Sequence, residues 1–288
     1  MADIGLNFWL TQWSWDPSIV IGSALIVGFY LYAVGPLQKR YSPDEPVKRS
    51  KVICFLLGMF FMFLSLVSPL DELGDSYLFS AHMVQHLILT IVGPPLLLLG
   101  TPEWFIKPLL RSRIVFRVAK FLTLPAVAFT LFNVDFWLWH APPLYNATLE
   151  NQGIHILEHL TFIIFGVLNW WPILSPSKDL PRLPVGGQIL YIFFNGMPTV
   201  ALGAGLTFLP PLYAPYLSAP RVWGISPATD QQLGGLIMWI PVSIAYIVVV
   251  SVLFIRWIQA QEAKQIAREA EMYGDEEAIS QVDSPASS

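Results

Sequence analysis

Long apolar stretches, bounded by charged or turn-forming residues, dominate the chain from residue 18 to residue 257. Apolar positions follow one another within them instead of alternating with polar ones, which favours helices over the strands of a membrane barrel. Because backbone groups in lipid must be hydrogen-bonded internally, apolar runs of about 20 residues predict membrane-spanning helices. The seven predicted spans are 18–37, 52–70, 78–100, 121–140, 154–174, 187–209 and 232–257.

The predicted fold class is therefore all-α, a polytopic bundle of seven transmembrane helices over residues 1–261. Residues 262–288 form an acidic tail, whose polar composition predicts a helix at first and then partly disordered chain. Proline removes a helical hydrogen bond, so prolines inside the spans predict local kinks. These prolines are Pro94, Pro95, Pro125, Pro198 and Pro241.

Composition supports a membrane protein and narrows its partners. Charged residues make up 12% of the chain and hydrophobic residues 55%, whereas about 25% of a soluble domain is charged. The net charge of −4 gives no basic excess, so nucleic acid is not an expected partner. The single cysteine, Cys54, cannot form an internal disulfide or a CxxC metal site.

The distribution of cations predicts an orientation. Fifteen of the sixteen Lys and Arg residues fall on one side of the predicted seven-span topology, and Arg221 alone falls on the other. Because cytoplasmic connections carry the excess of Lys and Arg, the N-terminus is predicted outside and the C-terminus in the cytoplasm.

All five histidines fall in the outer part of this predicted bundle. His82 and His86 lie in the first turns of the third span, His140 closes the fourth, and His155 and His159 open the fifth. A spacing of four puts two imidazoles on one helix face, one turn apart. A single intramembrane histidine is usually structural, but two such pairs and a fifth ring predict a site for a soft or borderline metal ion.

Few other side chains in the spans can serve such a site. Asp135 and Glu158 are the only carboxylates within the predicted spans, and an intramembrane acid is costly enough to suggest a function. Glu158 borders the face of His155 and is a candidate ligand or a residue that orients an imidazole. Met83 is a candidate thioether ligand, which would favour Cu(I), with gap-filling core packing as the alternative.

The outer connections carry further carboxylates. Asp71 and Asp230 are candidates for ligands or for residues that orient ligands, with solvated loop carboxylates as the alternative. Glu72 and Asp75 belong to the same acidic rim, and for them the solvated interpretation is favoured over a role at the site. The connection 210–230 contains Tyr213, Tyr216 and Trp223 and is expected to cover the site, to dock a recipient, or to be an ordered loop.

Several sequence runs, in this order, resemble the CtaG (caa(3)-type) family of cytochrome c oxidase assembly factors. They are SPLDELGDSYLFSAHMVQHL (Ser68–Leu87), GPPLLLLGTP (Gly93–Pro102), FWLWHAPPLY (Phe136–Tyr145), HILEHL (His155–Leu160), WWP (Trp170–Pro172) and DQQLGGLIMW (Asp230–Trp239). The resemblance extends over spans two to seven, and all five histidines occupy positions that match the family's pattern.

The resemblance implies a non-catalytic protein of the bacterial inner membrane that helps to mature haem-copper oxidases. Copper would be bound at the outer, periplasmic side and supplied to a cytochrome c oxidase subunit. Another copper carrier and a second copy of the chain are further candidate partners, beside the lipid bilayer itself.

Two other functions remain open from the residues. In an intramembrane zinc hydrolase, histidines and an aspartate would hold zinc, whose bound water attacks an amide or ester, and Asp71 or Glu158 would be the general base. In a b-type cytochrome, histidines from two helices would hold haem from opposite faces, which pairs four apart on one helix fit poorly.

Overall fold

The computed structural model describes residues 4–41 and 46–282, which form helices and their connections without a β-strand. The helices are α1 Leu6–Thr11, α2 Pro17–Tyr32, α3 Gln38–Tyr41, α4 Arg49–Val67, α5 Pro69–Ser76, α6 Phe79–Leu87, α7 Gly93–Gly100, α8 Glu103–Leu110, α9 Arg113–Leu122, α10 Pro125–Trp139, α11 Pro142–Glu150, α12 Gln152–Leu174, α13 Val185–Phe208, α14 Ala214–Ser218 and α15 Pro227–Val282. Two π-helical segments, Ala33–Leu37 and Ile88–Val92, join α2 to α3 and α6 to α7.

The all-helical, multi-pass class is confirmed. Within the described residues, six stretches are long and apolar enough to cross a membrane, and a seventh crossing results if α9 and α10 count as one bent span. The six are Pro17–Arg40, Arg49–Val67, Phe79–Gly100, Gln152–Leu174, Val185–Phe208 and Pro227–Ala270.

The predicted kink at Pro125 in the fourth span, 121–140, is confirmed, and it divides the span into two helices. The chain bends by 68° between α9 and α10, and α10 alone has only 15 residues. The break falls directly before Pro125, which occupies the first position of α10 because its missing N–H needs no partner there.

Of the other prolines for which a kink is predicted, two lie at the beginning of a helix and two lie inside a helix. Pro94 and Pro95 occupy the beginning of α7, directly after the π-helical segment that interrupts the third span. Helices α13 and α15 continue through Pro198 and Pro241, as neighbouring helices in a membrane bundle can permit.

Cations from three connections gather at one end of the bundle. Lys51 Nζ donates a hydrogen bond to the Thr101 carbonyl at 3.2 Å. Glu103 forms ion pairs with Lys107 at 3.5 Å and with Lys178 at 3.3 Å. Helix α12 begins at the opposite end of the bundle, which we call the histidine end because α6 also begins there and both helices carry histidines in their first turns.

Glycines allow the long helices α13 and α15 to pack backbone against backbone. A Cβ atom at Gly235 would lie 2.6 Å from the Thr207 nitrogen and 2.7 Å from the Gly203 oxygen. Small residues at helix crossings are a common means of close packing within membranes. Because α6 also packs on α15, this contact supports the helix that carries His82 and His86.

The long helix α15 extends beyond its apolar part to Val282, so the first part of the predicted tail is helical. Residues 283–288, the end of that predicted tail, lie outside the described residues. The boundary at residue 261 and the disorder of the final residues therefore stay predictions.

Candidate metal centre

Helices α6 and α12 face each other through their histidines. The ring centroids of His82 and His86 on α6 lie 4.4 Å apart, and those of His155 and His159 on α12 lie 4.2 Å apart. Across the interface, the His82 centroid lies 5.4 Å from that of His155 and 5.9 Å from that of His159. The two histidine pairs, one on each helix, therefore form a single cluster of four rings.

His140 joins the same cluster from a third helix. It follows the last residue of α10 and is buried, and its ring centroid lies 5.5 Å from that of His86. Its Nδ1 lies 2.6 Å from the Phe136 carbonyl, which can only accept a hydrogen bond. Nδ1 therefore carries the proton, which leaves Nε2 with a free lone pair.

The carboxylate of Glu158 is fully buried beside these rings. Its Oε1 lies 3.7 Å from His86 Nε2, and its Oε2 lies 3.9 Å from His82 Nε2. Both distances exceed a hydrogen bond, so the carboxylate and the two nitrogens face a common gap without bonding one another. A buried charge is strongly unfavourable unless it is paired or coordinates a metal.

Unpartnered polar atoms are concentrated in this cluster. Buried polar groups in proteins nearly always have a hydrogen-bond partner, and a metal ion would use the free lone pairs found here. His82, His155, Glu158 and His159 each offer one ligand atom, and these atoms lie within 4.8 Å of one another. Seven buried ring nitrogens have no hydrogen-bond partner among the described residues: Nδ1 and Nε2 of His82 and His86, and Nε2 of His140, His155 and His159.

Asp75 lies in helix α5 and contacts two histidines, whereas the sequence favoured a solvated loop carboxylate at this position. Its Oδ1 lies 3.3 Å from His82 Nδ1, and its Oδ2 lies 3.4 Å from His155 Nδ1. Helix α5 can approach α6 this closely because of Gly74, where a Cβ atom would lie 3.0 Å from the His82 Cα. No spacing along the sequence reveals this contact.

Asp71 lies one turn before Asp75 on α5 but has a different partner. Its Oδ1 accepts a hydrogen bond of 2.6 Å from Gln85 Nε2, which also donates to the Ser65 carbonyl at 2.9 Å. Burial, assisted by the negative charge of Asp75, raises the pKa of Asp71 to about 7. Asp71 thus ties α5 to α6 beside the histidines, and it does not belong to the group of convergent ligand atoms.

Asp230 is bonded to the beginning of the helix that carries His82. Its Oδ2 accepts a hydrogen bond from the Phe79 backbone N–H at 2.7 Å, and its Oδ1 accepts from the N–H and the hydroxyl of Ser80 at 3.0 and 2.6 Å. The residue before α6, Leu78, has no side chain that can cap the helix. Asp230 of α15 therefore supplies the cap from 151 residues away in sequence.

Replacing Asp230 by alanine should destabilise the histidine end. Three hydrogen bonds to a carboxylate are lost, and one buried and one partly buried N–H group are left unpaired. We therefore expect a loss of about 1–2 kcal/mol in the free energy of unfolding. Thermal unfolding of the purified protein in mild detergent measures this effect. Glu150→Ala, which removes an exposed carboxylate near the same end, is the control, and equal stabilities for the two variants would refute the capping role.

Met83 is fully buried within a hydrophobic cluster that contains Phe79 and Met238. Its Cγ would lie 3.3 Å from a Cβ atom at Gly234, so the side chain packs toward α15. This environment is typical of gap-filling methionine, and a role of the thioether as a metal ligand stays a prediction.

Tyrosines of the connection between α13 and α15 lie over the histidine end. The Tyr213 hydroxyl donates to the His140 carbonyl at 3.0 Å, and the Tyr216 hydroxyl donates to the Gly74 carbonyl at 2.7 Å. The Tyr216 hydroxyl also lies 3.1 Å from that of Tyr145 on α11. These three side chains are buried, whereas Trp223 of the same connection is exposed.

Comparisons with known proteins identify related sequences. The family model described as cytochrome c oxidase caa3 assembly factor (Caa3_CtaG) matches residues 28–260. Protein Mb0105 of Mycobacterium bovis and protein MT0111 of Mycobacterium tuberculosis are each 28% identical to this chain over 296 residues, and ML1998 of Mycobacterium leprae is 25% identical over 290 residues. Each alignment covers 92% of this chain and 42% of the relative, so the chain spans less than half the length of these relatives. No solved structure matches the chain significantly.

Proposed function

Because this chain belongs to the cytochrome c oxidase caa3 assembly factor family, we propose that it binds copper in its histidine cluster and supplies it to a haem-copper oxidase subunit. The observation that carries the proposal is the convergence of five largely buried imidazoles whose free nitrogens lack partners. A haem-copper oxidase requires copper during its assembly, so a metal site in an assembly factor is consistent with copper supply.

The chemistry of the donor atoms supports copper as the cargo. Imidazole nitrogen suits copper and zinc, while the carboxylate of Glu158 makes the set harder than a thiolate or thioether site. Such a set binds Cu(II) readily and does not depend on Met83. Because His155 is partly exposed, bound metal is within reach of an exchange partner, which a delivery protein needs.

We place the histidine end on the outer side of the bacterial inner membrane, with the N-terminus outside and the C-terminus in the cytoplasm. The gathering of Lys51, Lys107 and Lys178 at the opposite end supports this orientation, because cationic connections are retained in the cytoplasm. Copper would then be taken up and released on the outer side.

The same geometry bears on the alternatives. The rings lie in contact with one another and with aromatic side chains such as Phe162, 4.7 Å from His86 between centroids. This packing favours a compact ion over a haem, whose macrocycle needs a slot between opposed axial ligands. Zinc would suit the same donor atoms. A zinc hydrolase is therefore distinguished from a copper-supply protein by the metal that it binds and by its hydrolytic activity.

Deletion of the gene should lower the copper content of the mature oxidase while its haem content is retained. We expect complementation with the parent gene to restore oxidase activity and complementation with a His82→Ala variant to fail. Metal analysis of the purified oxidase, together with its haem spectrum, measures both quantities. Full copper occupancy of the oxidase in the deletion strain would overturn the proposal.

A further inference from the structure

An acidic cleft leads from the surface of the histidine end toward the metal centre. It has a volume of about 330 Å³ and lies between the N-terminus of α2, α5, the end of α11 and the beginning of α12. No Lys or Arg is found among the described residues that line it. Five carboxylates line this cleft: Asp16, Asp71, Glu72, Asp75 and Glu150.

Two histidines form the inner wall of the cleft and connect it to the metal centre. His155 and His159 both line the cleft, and the side chain of His155 is 13% exposed. His159 is buried, and its Nε2 has no hydrogen-bond partner. The cleft therefore ends on an imidazole that also belongs to the group of convergent ligand atoms.

Asp75 lies at the junction of the cleft and the cluster. Its side chain is 28% exposed, whereas Glu158 is fully buried, and His82 lies between the two carboxylates. The Nδ1 of His82 lies near Asp75, and its Nε2 lies near Glu158. One carboxylate thus faces solvent and the other faces the interior, with a single imidazole separating them.

We propose that Asp75 and His155 form a cleft site that takes a divalent transition-metal cation from solvent and passes it to a deep site formed by Glu158, His82, His86 and His159. The two ligand atoms, Asp75 Oδ2 and His155 Nδ1, lie 3.4 Å apart and face the cleft. Both can bind a divalent ion together with water from the cleft. This inference rests on the proposed function, because it describes how that site is loaded.

Separate sites for loading and for retention have a physical basis. A negatively charged cleft concentrates cations and raises the rate of association, but an exposed site with two protein ligands holds an ion weakly. A buried site with four ligands holds the ion tightly, and burial alone would make it slow to load. Asp75 therefore governs the rate of loading, and Glu158 with the deep histidines governs retention.

The test measures loading and retention separately, with Cu²⁺ and the purified full chain in detergent. Protein is mixed with Cu²⁺, quenched with excess EDTA after set times, and separated from the chelate, and the retained copper is measured by mass spectrometry. For Asp75→Asn we expect loading about tenfold slower, with the same final copper content as the parent. For Glu158→Gln we expect little retained copper at any time.

Glu72→Gln is the matched control, because it removes one negative charge from the same cleft and the contacts to His82 and His155 come from Asp75. Its effect on the loading rate should be much smaller than that of Asp75→Asn. Equal rates for the two variants would overturn the cleft site and leave the copper function standing. Loss of retained copper in Asp75→Asn would make Asp75 a ligand of one undivided site, which also overturns the inference. A parent protein that retains no copper would instead refute the proposed function.

Discussion

Replacing His82 by alanine should remove tightly bound copper from the purified protein. His82 lies in contact with His86, His155 and His159, and neither of its ring nitrogens has a hydrogen-bond partner among the described residues, so it is central to the cluster. Loss of a residue that orients a metal ligand typically costs about 10–100-fold in affinity, and loss of a ligand should cost at least as much. Competition with a chelator of known affinity, followed by metal analysis, measures the change.

Met83→Leu is the control for this experiment. Met83 is the next residue on the same helix and is fully buried, and the exchange keeps its volume and apolar character. We expect copper affinity close to that of the parent. If Met83→Leu lost copper and His82→Ala kept it, the thioether would be the ligand and the imidazole set proposed here would be wrong.

Replacing Gly235 by alanine should disrupt the bundle as a whole. The added methyl group would meet backbone atoms of Thr207 and Gly203 at 2.6 and 2.7 Å, and a backbone cannot move aside as a flexible side chain can. Helices α13 and α15 would have to separate, which is an overpacking cost of about 1–3 kcal/mol or more. We expect a large loss of folded protein, measured by size-exclusion chromatography and thermal unfolding in detergent.

Gly205→Ala is a matched control on α13. A Cβ atom at Gly205 has no neighbour within 4 Å, and alanine has the higher helix propensity. This variant should be as stable as the parent or slightly more stable. Equal behaviour of the two alanine variants would contradict the close packing of α13 against α15.

The histidine pairs could be predicted from the sequence because their arrangement depends only on helix geometry. A spacing of four places His82 with His86 and His155 with His159 whatever the rest of the fold does. The meeting of the two pairs followed from the predicted spans, because both pairs lie near the beginning of spans that start at the same end. The pairing within each helix depends on local helix geometry, and the meeting of the pairs depends only on the end of the bundle at which each helix begins.

The contacts of Asp75 and Asp230 could not be predicted in this way. Asp75 meets His82 only because α5 folds back on α6 where Gly74 permits a close approach. Asp230 caps α6 from another helix, far away in sequence. The position of the bend before Pro125 could be predicted from the proline, but its angle of 68° could not.

The ligands of copper in the purified protein are the most direct evidence on whether the histidine cluster is the copper site. X-ray absorption spectroscopy of the copper-loaded chain in detergent reports the atoms around the metal, and imidazole rings give characteristic outer-shell scattering. Copper should be bound by nitrogen and oxygen, with scattering from several imidazoles that diminishes in His82→Ala. Bound copper without imidazole scattering, or a chain that retains no copper, would contradict copper binding by the histidine cluster.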